Sequence, residues 1–158
     1  MNHEFKNQKD YYGDLIIATD YWNLYLAHIQ RYLGTCVLKL NSKTLHLKEL
    51  TSNEWKDFNS LVKIVEETIM VSFNPLLFNW ACFNNGAFKD NINSNINNQN
   101  IHLHWHVHPR YDKIAIFKGV EFDDPDFGKP PQLSKREISE DLRGEMINTI
   151  RKNLKNKL

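Results

Sequence analysis

The chain has 158 residues, 41% of them apolar and 25% charged, and its 20 Lys and Arg against 19 Asp and Glu leave a formal net charge of +1. Such a chain forms one globular domain that buries roughly two-thirds of its unfolded surface, which excludes collagen-like, disordered and disulfide-stapled classes. Near-neutrality also argues against a protein that neutralises many phosphates of a long nucleic acid, and leaves a small phosphate-bearing ligand open.

Met1 to Asp14 is polar and charged with no apolar centre, so no secretory signal is expected, and no run of 18 apolar residues predicts a membrane span. Cys36 and Cys82 fit no metal or redox spacing and read as reduced thiols of a cytoplasmic protein.

From Leu15 to Leu33 apolar residues are scattered without a clean period, and the structure is left open. Gly34 punctuates the chain before Thr35–Leu40, a strand-favouring run that ends in the turn residues Asn41-Ser42-Lys43. Thr51-Ser52-Asn53-Glu54 has the form of a capping box and predicts a helix start. Trp55, Phe58, Leu61, Val62, Val65 and Ile69 then follow at steps of three and four, one core-facing stripe that ends near Val71 or Ser72. Past Pro75, the apolar run Leu76–Phe83 suits a buried strand, Asn84-Asn85-Gly86 signals a turn, and the Asn-rich Asn91–Asn100 reads as a loop insertion. Asp123–Pro131 carries three prolines and a glycine and reads as an extended connector. A second capping box, Ser134-Lys135-Arg136-Glu137, opens a predicted helix over 134–153 with Ile138, Leu142, Met146 and Ile150 on one face.

Four of the seven histidines fall within seven residues, His102-Leu103-His104-Trp105-His106-Val107-His108, followed by Pro109-Arg110. In a strand, alternate residues share a face, so the imidazoles point one way and Ile101, Leu103, Trp105 and Val107 the other. His3, His28 and His46 stand alone and read as ordinary hydrogen-bonded polar residues.

Two chemistries suit the row. Alternate histidines lie about 6.6 Å apart along a strand, so two can share a zinc ion, but His102 and His106, about 13 Å apart, cannot converge on it with a third. No second ligand motif is visible. The other chemistry is covalent: a neutral imidazole held in one tautomer is a nucleophile for phosphorus, and a neighbouring imidazole can protonate the leaving group. Amide-rich and cationic residues such as Asn84, Asn85, Gly86 and Arg110 are of the types that stabilise the transferring phosphate.

His102 to Val107 with the following position resembles the signature of the histidine triad (HIT) family, His-φ-His-φ-His-φ-φ with φ apolar. Pro109-Arg110 is similar to the pair that follows the triad in dinucleoside polyphosphate hydrolases. Tyr111-Asp112 and Asp124–Gly128 resemble a microbial HIT-like subgroup grouped with diadenosine tetraphosphate hydrolases. The likeness covers about residues 20–111.

The resemblance implies a single α+β domain over 1–158: an antiparallel sheet of about five strands, a long helix packed on it, and an additional C-terminal helix. It implies cleavage of a P–O–P or P–N bond at the α-phosphate of a nucleoside monophosphate conjugate. His104 would be the nucleophile, His106 would assist the leaving group and His102 would support the arrangement. Asn84 matches a substrate-contacting position, and Asn98 falls where the family often has a Gln or Ser on the phosphate or leaving group. Gln30 stands in the segment Gln30–Thr35 that replaces the family's Asn and Pro-Gly-His, and takes the candidate contact there. No tightly bound cofactor is implied; magnesium would arrive on the substrate phosphates. A homodimer is implied as well, and neither a long nucleic acid nor a membrane is a partner. The final φ is His108, a fourth imidazole that would alter metal affinity or pH dependence. A nucleotide-binding module with little turnover and a zinc-dependent hydrolase using the cluster are the alternatives.

Overall fold

Thr51 begins the longest element as its sequence indicates. The computed structural model describes residues 9–83, 102–132 and 135–155. In it the Thr51 hydroxyl accepts from the Glu54 amide at 3.3 Å, and the Glu54 carboxylate accepts from the Thr51 amide at 2.7 Å. Two otherwise orphaned donors are thereby satisfied, and α1 runs over Ser52–Phe73. Asn74, in the left-handed region at φ 54°, returns its amide to Met70 and stops the helix before Pro75.

The strands β1 (Lys9–Asp10), β2 (Gly13–Ala18), β3 (Trp22–Leu26), β4 (Cys36–Leu40), β5 (Leu77–Ala81) and β6 (His104–Arg110) form one sheet in the order β1-β2-β3-β4-β6-β5. Every pairing is antiparallel. Five of these match the expected count, and the two-residue β1 is the sixth. β2 and β3 occupy the stretch left open in the sequence, where a register shift between Leu15 and Ile17 explains the missing period. The extra residue at that bulge lets Ile16 and Ile17 both enter the core.

One face of the sheet carries Trp22, Leu24, Leu26, Leu38, Leu40, Leu103 and Val107, all at most 2% exposed. Leu61, Val65 and Ile69 of α1 cover it together with Leu142, Met146, Ile150 and Leu154 of α2 (Glu140–Lys155). Both helices therefore lie on one side, and the even-numbered residues of β6 are left on the other. A tight hairpin of β7 (Ala115–Phe117) and β8 (Val120–Phe122) turns through Lys118 and Gly119, both at positive φ, and contributes Phe122 to the core.

Three sequence expectations change. Among the described residues the strand after Pro75 is a sheet edge and not a buried strand: Leu77 is 40% exposed and the other residues of β5 are half-buried, with β6 their one described neighbour. Asp123–Pro131 is no extended connector. It folds into overlapping turns, Phe127 N–H to Asp124 O at 3.1 Å and Lys129 N–H to Asp126 O at 2.8 Å. The second helix starts at Glu140 rather than 134, capped by Ser139 Oγ accepting from the Leu142 amide at 3.2 Å. Ser134 lies outside the described residues. Before the cap, the Arg136 carbonyl is taken by the Gln30 amide at 3.0 Å, which competes with helical pairing there.

Candidate active site

β6 is held between β4 and β5, with His104 opposite Lys39, and His106 opposite Val37 on one side and Ala81 on the other. His106 is thus paired on both sides, while His104 is paired on the β4 side and His108, opposite Asn79, on the β5 side. Successive rings touch: His104 and His106 lie 5.0 Å apart edge to face, and His106 and His108 lie 5.9 Å apart with parallel planes.

The decisive hydrogen bond lies at His104. Its Nδ1 stands 2.9 Å from the carbonyl oxygen of His102. A carbonyl can only accept, so the proton sits on Nδ1 and the ring lone pair on Nε2. His102 is oriented in the same manner, its Nδ1 donating to the Ser42 carbonyl at 2.9 Å. Burial lowers the pKa of His104 below the usual 6.5, with the neighbouring His102 adding to the shift against the pull of the carbonyl. At neutral pH His104 is the uncharged, nucleophilic form. Burial, helped by His104, pushes His106 down to about 4. A polyphosphate anion seated against the row offsets such a shift by Coulomb attraction.

His108 is different in kind. It is 5% exposed, lies edge-on to Tyr32 at 5.9 Å, and among the described residues neither of its ring nitrogens has a hydrogen-bond partner. Burial, then His106 and Arg110, push it down to about 4. The sign of the linkage follows. The unfolded chain protonates near 6.5 and the folded chain only near 4, so stability is complete above pH 6.5 and falls as pH drops toward 4. His108 alone contributes about 3 kcal/mol to that fall at about 1.4 kcal/mol per pKa unit. His108→Leu is expected to raise stability by about 1–3 kcal/mol at pH 7, because an unsatisfied buried group is removed. It is also expected to flatten the acid loss. Urea midpoints of both proteins at pH 7.5, 5.5 and 4.5 check this; parallel curves would contradict it.

Arg110 does not reach into the site. It is 1% exposed, and its five donors are all taken. Nε and one Nη atom grip the Asp124 carboxylate at 2.7 and 3.0 Å, and the remaining bonds go to Asn79 Oδ1 and to the carbonyls of Lys129 and Asp126. The expected phosphate contact is replaced by a structural one, because Asp124 is a completely buried carboxylate that needs this partner. Gln30 is likewise committed. It is 0% exposed, its amide donates to the carbonyls of Ala27 and Thr35 at 2.9 Å each, and its oxygen accepts from Gly34 N–H at 3.0 Å. It shapes the turn into β4 and has no atom left for a substrate. Asn84, Asn85, Gly86 and Asn98 lie outside the described residues.

Sequence reading missed two contributors. Tyr12 packs on the His104 ring at 5.1 Å from a segment read only for its lack of a signal peptide. Asp124 organises the turns beside the carboxyl end of the row. The one signal for it was its place in Asp124-Pro125-Asp126-Phe127-Gly128.

No family model matches the chain, and no curated protein matches it. Solved structures do. A histidine triad protein from Sinorhizobium meliloti superposes with a TM-score of 0.66 at 14% identity, over 96% of this chain and 97% of its own. The chain has the histidine triad fold. A diadenosine triphosphate hydrolase of Plasmodium falciparum, solved with Cyclomarin A, shares this fold at a TM-score of 0.57 and 19% identity, covering 90% and 77%. A zinc-bound histidine triad protein from Mycobacterium smegmatis does so at 0.54 and 16%, covering 90% and 84%. All three share with this chain the fold alone, and in this chain that fold carries His104, His106 and His108 on one strand. No helix among the described residues is long and apolar enough to cross a membrane.

Proposed function

We propose that this chain is a nucleotide hydrolase or nucleotidyl transferase acting at the α-phosphate of a nucleoside monophosphate conjugate, a dinucleoside polyphosphate or a nucleoside phosphoramidate. The observation that carries the reading is the Nδ1–H bond from His104 to the His102 carbonyl, which places a lone pair on Nε2. The diadenosine triphosphate hydrolase among the structures of this fold supports the substrate class.

In the first step Nε2 of His104 attacks the α-phosphorus. The new N–P bond forms as the P–O or P–N bond to the leaving group breaks with its electron pair, and His106 supplies the proton that the leaving group takes. In the second step water attacks the nucleotidyl-histidine and gives a proton to His106. The N–P bond breaks, its pair returns to Nε2, and nucleoside monophosphate is released. His102 contributes the carbonyl that keeps the tautomer through both steps. Magnesium enters on the substrate phosphates.

The test is nucleoside monophosphate release from an adenosine phosphoramidate and from diadenosine tri- and tetraphosphate, with and without a chelator. Turnover that survives removal of protein-bound metal supports the covalent reading. Loss on chelation with recovery on added zinc would put the metal-dependent reading in its place, and nucleotide binding without turnover would leave a binding module.

A symmetric dimer of this chain belongs to the same proposal. It is supported by exposed Leu76 and Leu77, at 58% and 40%, at the start of β5, whose second edge is unpaired among the described residues. Sedimentation at micromolar concentration checks it.

A further inference from the structure

The N-terminal hairpin folds back over the histidine face. Asp10 pairs with Gly13 across a two-residue turn, Tyr11-Tyr12, and Gly13 sits at φ +133°. A Cβ there would lie 2.0 Å from the Leu26 carbonyl oxygen, so glycine is what lets this turn press against the end of β3. Asp10 anchors the hairpin from the other side: its carboxylate accepts from Tyr25 Oη at 3.1 Å and Lys39 Nζ at 3.2 Å. The ammonium of Lys39 lies 5.3 Å from the Tyr12 ring centre.

Held this way, Tyr12 is 5% exposed and packs with Tyr25, Ala27 and Val37 in a small cluster on the histidine face, separate from the main core. Its ring meets the His104 imidazole at 5.1 Å, tilted by 58°. A backbone hydrogen bond joins its phenol to His102. The residue that supplies the carbonyl for His104 Nδ1 is therefore itself tied to Tyr12.

We propose that Tyr12 is a positioning residue for the nucleophile, its ring setting the plane of His104 and its phenol holding His102 so that the His102 carbonyl keeps the proton on Nδ1. The inference rests on the reading above only for what His104 does once positioned. A tyrosine suits both tasks, being a flat, rigid apolar body with a polar tip. Small errors of placement at a nucleophile are costly, which gives the arrangement its value.

The test uses the full chain labelled with 15N-histidine. The His104 nitrogen signals are assigned by their loss in His104→Gln, and wild type, Tyr12→Phe and Tyr12→Leu are compared at pH 7.5. Wild type is expected to show one tautomer, protonated at Nδ1. Tyr12→Phe keeps the ring and loses the phenol, and Tyr12→Leu loses both; each is expected to show a mixture, more pronounced for Leu. On an accepted substrate, kcat is expected to fall about tenfold for Phe and about a hundredfold for Leu, with KM within about threefold of wild type. Val65→Ala, in the helix layer on the opposite face, serves as a destabilised control with an unchanged His104 spectrum and kcat within about twofold.

An unchanged His104 tautomer in both Tyr12 variants would overturn the proposal whatever the turnover. So would an equal shift in Val65→Ala. Wild type inert on every nucleotide tried would count against the proposed function, while the nitrogen spectra would still decide the role of Tyr12.

Discussion

His104→Ala is expected to lower nucleotide release by at least about a thousandfold, some 4 kcal/mol of transition-state stabilisation, while the fold is retained. The side chain stands on the face of the sheet opposite the helices, so its loss opens no cavity in the core that α1 and α2 share with β3, β4 and β6. No neighbour replaces its chemistry. Burial also pushes the His106 pKa down, and the hydrogen bond that sets the tautomer runs from the ring of His104 to the carbonyl of His102, two residues earlier and just before β6. His106→Ala is expected to cost less, about a hundredfold, and least with a leaving group that departs as a weak base, because its role is proton transfer. Steady-state release by the two variants on substrates of graded leaving-group basicity checks this. A His106 loss independent of the leaving group would contradict the assignment.

The largest stability effect is expected at the Arg110–Asp124 pair. Asp124→Ala leaves a buried guanidinium without its bidentate partner, and a cost of about 3–5 kcal/mol is expected, a large share of an ordinary domain's total of roughly 5–15 kcal/mol. Both side chains are at most 2% exposed, so solvent cannot compensate. The same carboxylate accepts from the Tyr111 amide at 3.2 Å, and the Arg110 bonds to the Lys129 and Asp126 carbonyls pin the following turns. The damage should therefore spread through 124–131. The double variant Arg110→Met with Asp124→Leu is expected to recover much of the loss, since a packed apolar pair avoids the desolvation cost. Urea midpoints of the single and double variants measure both effects. A single variant within about 1 kcal/mol of wild type would show that the pair is not a structural keystone.

These expectations also mark where the sequence was legible. The capping box at Thr51, the stripe Leu61-Val65-Ile69 and the alternation of β6 are local signals with one physical solution each, and the structure contains all three. β2 and β3 were hidden because the bulge at Ile16 breaks a period of two. The start of α2 was misplaced because Ser139, an equally good cap, stands five residues after Ser134, and Arg136 is engaged with Gln30 and Glu121. At the site, the placement of His104, His106 and His108 side by side on one face was readable from their spacing. The fates of Arg110 and Gln30 were not, since whether a polar side chain faces a ligand or a buried partner depends on residues far away in sequence, Asp124 for one and the Ala27–Thr35 turn for the other. Tyr12 was invisible for the same reason: nothing local says that a turn tyrosine will meet a strand some ninety residues later.

The central claim is a covalent nucleotide on His104. The most direct measurement is the intact mass of the protein rapidly mixed with diadenosine triphosphate or an adenosine phosphoramidate and quenched in alkali, where a phosphoramidate survives. Wild type is expected to gain the mass of one adenylyl group, mapped by peptide fragmentation to His104 and lost in His104→Ala. Turnover with no adduct at any quench time, or an adduct that persists in His104→Ala, would contradict it.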